Sequence, residues 1–492
     1  MKKILILFVL VGIYLNIYSF SFISVNQEND QVISIIDTDY HMDYGFKIPL
    51  TYKVQFNSES TNLFAQFKYS YINDWEVIKE YNKEDFFNNE IAVRFDYENK
   101  FAYISIPYGE STDTVFIRIV DQNEQKVGIT FLEITKFYDN RDMAVIGSAD
   151  DMAEWSRTKF NTSIKHTRER NLWLTIGINP DGCNSTTWYF IQRQMVLGYV
   201  EPASHTNNHP NPNQYGHYGA DKKYDYEYEI LNSKEKIIQN LQMTDLFSCK
   251  GRRYVYTFIA PNGYTDNIID SLVGAGKYLV NRLYYPGYYG FSEWDSVKNS
   301  FYPIGVGVAI DPPREQLGWG IGCNNLDSLN AAFDYALSKN TVYHFMFHPN
   351  VVEWDKAYTL EHLDYISNRK NVWYTSVGHL YLYHFAQINY ISSVDTQEQN
   401  HILSVPLISL IKSYPNPTSS TYNIKYMLFS NSDINLYIFN NVGQVVFKGV
   451  YLNQNEGTHV ININLTDLPS GIYFYSIQAK DKIKTGKVVK IQ

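Results

Sequence analysis

Cysteine is scarce in this chain, and long runs of one charge sign are missing. Only Cys183, Cys249 and Cys323 occur among 492 residues. Their wide spacing matches neither a zinc-binding pattern nor a disulfide framework, so one bridge with a spare thiol and three separate thiols both stay open. The formal net charge of −9 is spread along the chain. It therefore gives no reason to expect a nucleic-acid or anionic-membrane partner.

Aromatic residues, by contrast, are abundant, with 43 Tyr and 28 Phe. Strand-rich architecture and a sugar-binding surface both use aromatic side chains, and composition alone does not choose between them. Hydrophobic residues make up 45% of the chain, which is ample for cores. The length predicts several domains rather than one.

The N-terminus has the pattern of a signal peptide over residues 1–22. Lys2 and Lys3 precede the apolar run "ILILFVLVGIYL", which is a charged segment followed by an apolar core. An uncleaved membrane anchor is the alternative, and Asn16 and Ser19 weaken it by interrupting the run. No other apolar stretch is long enough to span a bilayer. We therefore expect an exported protein.

Three further regions follow, separated by changes in periodicity. Residues 23–140 contain short β-branched and aromatic runs such as "FAYISIPY", which predict an immunoglobulin-like β-sandwich with an accessory role. Residues 141–390 alternate predicted strands, of which "NVWYTSVG" is the last, with helical patterns in "KEKIIQNLQM", "DNIIDSLVGAG", "LDSLNAAFDYALSK" and "TLEHLDYISNR". This alternation predicts an α/β fold with a parallel sheet, open or closed into a distorted (β/α) barrel. Residues 391–412 are predicted to be a linker, and residues 413–492 an antiparallel β-sandwich.

Reactive side chains in the middle region follow predicted strands at their carboxyl ends. They are Asp150 and Asp151 after "MAVIGSA", His205 and His209 after "YVEPAS", Asn262 after "YTFIA", and His348 after "VYHFMF". Each has an ordinary explanation: helix capping for the acids, chance spacing for the histidine pair, and core packing for His348. Because the carboxyl ends of parallel strands meet at one rim, their shared position instead favours a single site.

The residue types at this rim suit metal-assisted hydrolysis. Two imidazoles and a carboxylate make a three-ligand set that leaves positions open for water and substrate. A bound divalent ion would lower the pKa of its water and polarise a carbonyl oxygen. A second carboxylate can take the proton of the water, and a histidine can protonate a leaving amine. These parts fit the hydrolysis of an amide or an ester.

In this order the motifs resemble the polysaccharide deacetylase family, also known as the NodB-homology or carbohydrate esterase family 4 domain. The resemblance covers residues 141–390. "GSADDM" stands where the family has TFDDG, "HTNNHP" meets the H-[ST]-x-x-H-P motif in full, "IAPNG" stands for the RPPYG-type motif, and "FMFHP" places a histidine after an apolar strand. "HTNNHP" is the most specific of these signals.

The resemblance implies a role for each of six residues. Asp151, His205 and His209 would be the metal ligands. Asp150 would be the general base, His348 the general acid, and the backbone N–H of Asn262 an oxyanion donor. Zinc is the default metal, and cobalt, manganese or nickel would accept the same ligands.

Several positions depart from the family pattern. Ile259 stands where the family has the arginine that pairs with the base, so the pKa of Asp150 is expected to be less depressed. Met152 replaces a glycine, and no fourth motif is evident. A non-catalytic glycan-binding or adhesin module is therefore the alternative function. His344 is open between a supporting role at the metal and core packing, and Tyr264 and Trp354 between sugar stacking and core packing.

The C-terminal region resembles a second family, the type A sorting domain of the type IX secretion system. "YPNPTSS", "INLYIFNNVGQVV", "LPSGIYFYSI" and "KTGKVVKIQ" carry this resemblance over residues 413–492. It implies a Gram-negative host, interaction with the secretion machinery, and release or attachment at the cell surface. We thus expect a secreted, metal-dependent hydrolase that removes N-acetyl groups from a glycan.

Overall fold

The computed structural model describes most of the chain in two compact units, with the boundary between Asp395 and Thr396. The described residues are 23–37, 49–81, 90–107, 114–210, 225–249, 251–295, 297–313, 322–388, 390–392, 408–428, 431–440, 444–455, 457–480 and 482–491. The predicted signal peptide and residues 393–407 of the predicted linker lie outside these ranges. None of the described helices combines the length and the apolar character needed to cross a membrane.

The first unit begins with strands that form two sheets. These strands are β1 Ile23–Asn29, β2 Val32–Asp37, β3 Pro49–Asn57, β4 Leu63–Tyr69, β5 Glu76–Val77, β6 Ala92–Asp96, β7 Phe101–Pro107, β8 Val115–Asp121 and β9 Gly128–Ile134. One sheet has the order β1-β2-β8-β4-β5 and the other β6-β7-β3-β9, with antiparallel pairing. Alternate residues of β3 and β8 are fully buried, because one face of each sheet packs on the core.

The rest of the first unit alternates strands with helices around one large sheet. The strands are β10 Met143–Met152, β11 Leu174–Ile178, β12 Val200–Ser204, β13 Ser248–Cys249, β14 Arg252–Arg253, β15 Thr257–Ile259, β16 Val280–Pro286, β17 Trp294–Asp295, β18 Ser300–Val306, β19 Val308–Ala309, β20 Val342–Phe347, β21 Val372–Tyr374 and β22 Tyr390–Ser392. The helices are α1 Arg157–Arg168, α2 Ser185–Val196, α3 Ser233–Asn240, α4 Asn267–Ala275, α5 Leu326–Ser338, α6 Ala357–Ile366 and α7 Val377–Ile388.

The strands of the large sheet follow the order β17-β18-β16-β15-β12-β11-β10-β20-β19, and β21 pairs with β10. Strands β18 and β19 are separated only by Gly307, yet β18 pairs with β16 and β19 pairs with β20. This one segment therefore joins both ends of the strand order. All five residues of β11 and of β12 are buried, as expected for parallel strands covered on both faces.

A buried ion network lies where the N-terminal sheets meet the large sheet. The carboxylate of Asp139 accepts hydrogen bonds from Arg94 Nε at 2.9 Å and from Arg141 Nε at 2.8 Å. The Asp139 backbone N–H donates to Thr51 of β3 at 2.8 Å, although Asp139 itself has a left-handed φ of 54°. In addition, β22 pairs in parallel with β1. These contacts join the N-terminal sheets and the large sheet into one unit.

The second unit is formed by strands alone among its described residues. The strands are β23 Ile408–Tyr414, β24 Thr421–Leu428, β25 Ser432–Phe439, β26 Val445–Gln454, β27 Gly457–Asn464, β28 Gly471–Ala479 and β29 Lys482–Lys490. They form one sheet in the order β23-β24-β27 and another in the order β26-β25-β28-β29, and every strand pairing is antiparallel. Its own core is built from alternate residues such as Tyr422, Ile424 and Tyr426.

Candidate metal centre

The end of β10 presents two adjacent carboxylates to the same rim. Consecutive residues of a regular strand point to opposite faces of the sheet. Here the pairing with β11 shifts register between Ala149 and Met152, and Asp151 takes a left-handed φ of 73°. Such a bulge re-aims side chains. Ser156 Oγ fixes the turn that follows by donating to the Asp151 carbonyl at 2.5 Å and accepting from the Ala153 N–H at 3.0 Å.

The two predicted histidine ligands flank a tight turn after β12. His205 is fully buried and continues the strand, because its N–H donates to the Ile178 carbonyl of β11 at 2.9 Å. Thr206 and His209 both have left-handed backbones, with φ of 63° and 57°. The Thr206 hydroxyl accepts the N–H of His209 at 3.0 Å. The turn thereby brings the two imidazole rings to a centroid separation of 4.7 Å.

The structure brings Asp151, His205 and His209 together, with their ligand atoms all within 4.8 Å of one another. Asp151 Oδ1 lies 3.4 Å from His205 Nε2 and 3.5 Å from His209 Nε2. Nδ1 of His205 lies 2.8 Å from the Ile259 carbonyl. Because a carbonyl oxygen only accepts, Nδ1 carries a proton, and in the neutral ring Nε2 is the nitrogen that can bind a metal ion.

The tautomer of His205 makes this cluster fit a cation. Its Nε2 is buried, makes no hydrogen bond and faces the Asp151 carboxylate, which is also an acceptor. Two buried acceptors at this distance repel each other unless a proton or a metal ion lies between them. The contact of Nδ1 with the Ile259 carbonyl is the kind of supporting bond that orients a metal-binding imidazole. The residues present therefore fit a divalent metal ion.

The surroundings of Asp151 and His209 shift the pKa values of both side chains in the direction that favours metal binding. Burial would raise the pKa of Asp151, but His205 and His209 outweigh it, so the pKa of that carboxyl lies well below its usual range. Burial, followed by repulsion from His205, lowers the pKa of His209 to about 4. Near neutral pH the cluster therefore offers a carboxylate and a neutral His209 ring, which are the protonation states that bind metal.

Asp150 has a buried guanidinium beside it, and the expectation drawn from Ile259 is corrected by this finding. Arg282 Nη2 donates to Asp150 Oδ1, and both side chains are almost wholly buried. Burial would raise the pKa of Asp150, but Arg282, ahead of His205 and His348, lowers it below its usual value. Ile259 on β15 and Arg282 on β16 are register partners. The cation is thus supplied at the same level from the neighbouring strand.

His348 lies on the other side of Asp150 and is paired with a second acid. Its Nε2 is 3.9 Å from Asp150 Oδ2, and its Nδ1 is 2.5 Å from Asp311 Oδ2. The other oxygen of Asp311 accepts the His348 backbone N–H at 2.8 Å. Burial would lower the pKa of His348, but the hydrogen bond and charge of Asp311 raise it to about 9. The ring is therefore an imidazolium near neutral pH.

Asn262 lies in a short turn, Pro261–Gly263, directly after β15. Its backbone is left-handed, with φ of 55°. The N–H groups of Gly263 and Tyr264 close the turn on Ala260 and Pro261, each at 3.1 Å. Gly263 also has a positive φ of 66°, and a Cβ there would lie 2.8 Å from the backbone N of Tyr284 on β16. Glycine is therefore required for the turn to pack on that strand.

His344, Trp354 and Tyr264 are the three residues that the sequence left open between two roles. His344 Nε2 bonds Ser148 Oγ of β10 at 2.9 Å, and the ring is buried within the sheet. Trp354 stacks on His166 of α1 at a centroid distance of 5.0 Å. Tyr264 donates its hydroxyl to Asp266 at 3.2 Å. Each of these three therefore makes an internal contact.

Sequence reasoning missed Arg282 and Asp311. Arg282 was detectable as a single charged residue in the apolar strand "YLVNRLY", because a buried cation needs a partner. Asp311 follows the two-residue strand β19. That strand is too short for any periodic pattern, so the sequence carries no comparable signal for Asp311.

Residues 412–492 match the family model "Secretion system C-terminal sorting domain". No curated protein matches the chain. Solved structures that match include the CE4 domain of a multidomain xylanase from the hindgut metagenome of Trinervitermes trinervoides. It has 13% identity and a TM-score of 0.30, and the match covers 49% of this chain and 91% of that domain.

Two other matches are a family 4 acetyl xylan esterase from Clostridium thermocellum and a CE4-family pseudoenzyme from Bacillus anthracis. The esterase, which was solved with a cobalt ion, has 14% identity and a TM-score of 0.29, with 52% of this chain and 100% of that chain covered. The pseudoenzyme has 12% identity and a TM-score of 0.30, with 51% and 70% covered. The chain is thus similar to family 4 carbohydrate esterases, and its residues 412–492 match a secretion system C-terminal sorting domain.

Proposed function

We propose that the protein is a secreted, metal-dependent hydrolase that removes N-acetyl groups from a glycan. One observation carries the proposal: three ligand atoms of Asp151, His205 and His209 face one point, and Asp150 and His348 lie beside it with opposite charges. The choice of candidate metals rests on the chemistry of these ligands alone. One carboxylate and two imidazoles suit zinc first, and also cobalt, manganese or nickel.

A divalent ion in this centre would supply Lewis-acid polarisation of the acetyl carbonyl and would make water more acidic. Asp150, kept ionised by Arg282, would accept the proton of the attacking water. The backbone N–H of Asn262 would donate to the oxygen on which negative charge develops. His348 then gives its Nε2 proton to the departing amine, and Asp311 stabilises the imidazolium until that step.

A non-catalytic glycan-binding module is the alternative. The sequence supported this alternative because the motif lacks a cation beside Asp150, and the structure has Arg282 beside Asp150 instead. An active hydrolase needs its base ionised and its acid protonated in the same pH range. The environments of Asp150 and His348 produce this combination, which a binding module has no use for.

The route out of the cell is proposed from both ends of the chain. The sorting domain at residues 412–492 indicates secretion to the cell surface or beyond. We further propose that residues 1–22 direct the chain into the periplasm of a Gram-negative bacterium, where the type IX machinery recognises the sorting domain. The glycan substrate would then be met outside the cell.

Acetate release and metal content together test the proposal. Purified protein is loaded with Zn²⁺ or Co²⁺ and incubated with N-acetylated and O-acetylated oligosaccharides, and acetate is measured. We expect release with the N-acetylated set, loss of metal in His205→Ala, and loss of activity with metal retained in Asp150→Asn. An Asp150→Asn change leaves the three ligands in place, so it separates chemistry from binding. Bound metal without hydrolysis of any amide or ester substrate would favour the binding module.

A further inference from the structure

A buried glutamate from an irregular helix contacts the turn between the two histidine ligands. Glu229 is 4% exposed and lies in the five-residue π-helix Tyr228–Asn232, which leads directly into α3. Its Oε2 accepts the backbone N–H of Asn207 at 2.8 Å and that of Asn208 at 3.2 Å. Asn207 and Asn208 are two of the three residues between His205 and His209. One carboxylate oxygen thus holds consecutive amides of the metal-binding turn.

The same π-helix fixes the turn through other atoms. Asn207 Nδ2 donates to the Tyr228 carbonyl and, at 3.1 Å, to Asn232 Oδ1. Single π-turns are uncommon and occur mostly at functional sites. This one widens the helix at the point where its residues surround the Asn207 side chain. The turn is therefore held through its side chain as well as its backbone.

The turn needs such support because its backbone is unfavourable. Thr206 is β-branched and has φ of 63°, a region that such residues rarely enter, and His209 has φ of 57°. Strained residues persist only where their surroundings over-determine them. Asn179 Nδ2 also holds the start of the turn, by donating to the His205 carbonyl at 2.5 Å. Without Glu229, the buried N–H of Asn207 would lose its acceptor, and the turn would be free to relax.

We propose that Glu229 is a positioning residue for the metal centre, which holds the Asn207–Asn208 amides so that both imidazoles face Asp151. The inference rests on the metal site of the proposed function. It assigns a role to a residue that touches neither metal nor substrate. Second-layer contacts of this kind typically affect metal affinity by about 10- to 100-fold.

Co²⁺ titration of the full chain at one fixed pH tests the proposal, with visible absorption reporting the ligand geometry. We expect Glu229→Ala to weaken the Co²⁺ Kd by about 10- to 100-fold and to alter the d–d bands. Glu229→Gln keeps a carbonyl oxygen that accepts the same N–H groups, so it should retain most of the affinity. Rescue by this conservative variant separates the amide contacts from the negative charge.

Ser233→Ala is the matched control from the same helix. Ser233 Oγ bonds Ser204 Oγ at 2.6 Å but does not touch the amides of Asn207 and Asn208. We expect it to lower the thermal midpoint of the metal-free protein while the Co²⁺ Kd and spectrum stay at wild-type values. A folded Glu229→Ala protein with wild-type Kd and spectrum would overturn the proposal.

Two outcomes keep the inference distinct from the hydrolase proposal. If the wild-type protein binds Co²⁺ but releases no acetate, hydrolysis is refuted while the Kd of Glu229→Ala still decides the positioning role. If the wild-type protein binds no Co²⁺, the metal site and the positioning role are both overturned.

Discussion

Replacing Asp311 with Asn should move the alkaline limit of activity by more than two pH units. Asp311 uses both oxygens on His348, one on the ring Nδ1 and one on the backbone N–H. In Asp311→Asn the amide oxygen can keep the backbone contact. The amide NH₂ then faces Nδ1 as a donor, so the ring is pushed towards a neutral form with its proton on Nε2. A neutral imidazole is a much weaker acid than an imidazolium.

The size of the effect follows from the pKa of His348. Its value of about 9, against an ordinary 6.5, corresponds to a preference for the imidazolium of about 3 kcal/mol. Burial lowers the pKa of the ring, so without Asp311 the value should fall to 6.5 or below. At about pH 8 the ring would be about 90% protonated in the wild type and about 3% in the variant, a loss of about 30-fold. With a value of 6.5 in the variant, the two proteins should differ by less than about twofold near pH 6.

The assay is the pH dependence of kcat/KM for acetate release, measured in parallel with the NMR titration of the His348 ring. His348→Gln identifies that ring signal among the 12 histidines. Asp334→Asn is the matched control, because Asp334 bonds only the exposed Tyr365 hydroxyl among the described contacts. The NMR titration does not depend on turnover. Wild-type positions for both the alkaline limb and the ring titration in Asp311→Asn would refute the reasoning.

The same pair also affects stability, and the sign is fixed by the raised pKa. Because folded His348 binds its proton more tightly than the unfolded chain does, the contribution to stability is fully present below pH 6.5. It is lost as the pH rises through about 9. In Asp311→Asn, the free energy of unfolding in urea should therefore lose the decrease that His348 causes between pH 6.5 and about 9.

Three further predictions concern residues around the site and at the junction of the sheets. Arg282→Met should raise the pKa of Asp150 and so move the acid limb of kcat/KM to higher pH. It should also lower the free energy of unfolding in urea by about 3–5 kcal/mol, because it leaves a buried charge unpaired. An unmoved acid limb would contradict the assigned pairing. Gly263→Ala should lower the free energy of unfolding by about 1–3 kcal/mol and should lower kcat, because the left-handed turn must shift away from Tyr284. Unchanged stability and kcat would show that the turn adapts freely. Asp139→Asn should cost about 3–5 kcal/mol in urea unfolding, because Arg94 and Arg141 would lose their shared anion. A wild-type midpoint would mean that this network does not stabilise the junction.

The sequence predicted the helices with a clear apolar stripe and missed others. Helices α3, α4, α5 and α6 overlap the predicted helical runs. Helix α7 was missed because nine of its twelve residues are buried, so it has no polar face to create a period. Its start was predicted as the end of the strand "NVWYTSVG", and β-branched and aromatic residues favour that interpretation. Helix α1 was missed for the opposite reason, since "RTKFNTSIKHTR" is mostly polar.

The candidate ligand positions were predictable from the sequence because they lie at the carboxyl ends of two strands, β10 and β12. The partners of the base and the acid were not, because each depends on which strands are neighbours. Ile259 and Arg282 are 23 positions apart in the chain and side by side in the sheet. Asp311 reaches His348 only because β19 pairs with β20. When a motif residue is absent from its expected strand, the residue paired with that position on the adjacent strand should therefore be considered as its replacement.

The placement of these two partners has a consequence for the chemistry. Arg282 puts a cation beside the base, Asp311 puts an anion beside the acid, and Asp150 and His348 are themselves 3.9 Å apart. Environments that push two pKa values apart are what assign acid and base roles. Here the carboxyl pKa is pushed down and the imidazole pKa up, so an ionised Asp150 and a protonated His348, the proposed base and acid, coexist from acidic pH to about 9. Exchanging the two partners would reverse both shifts, and neither group would then be in the protonation state that the reaction needs.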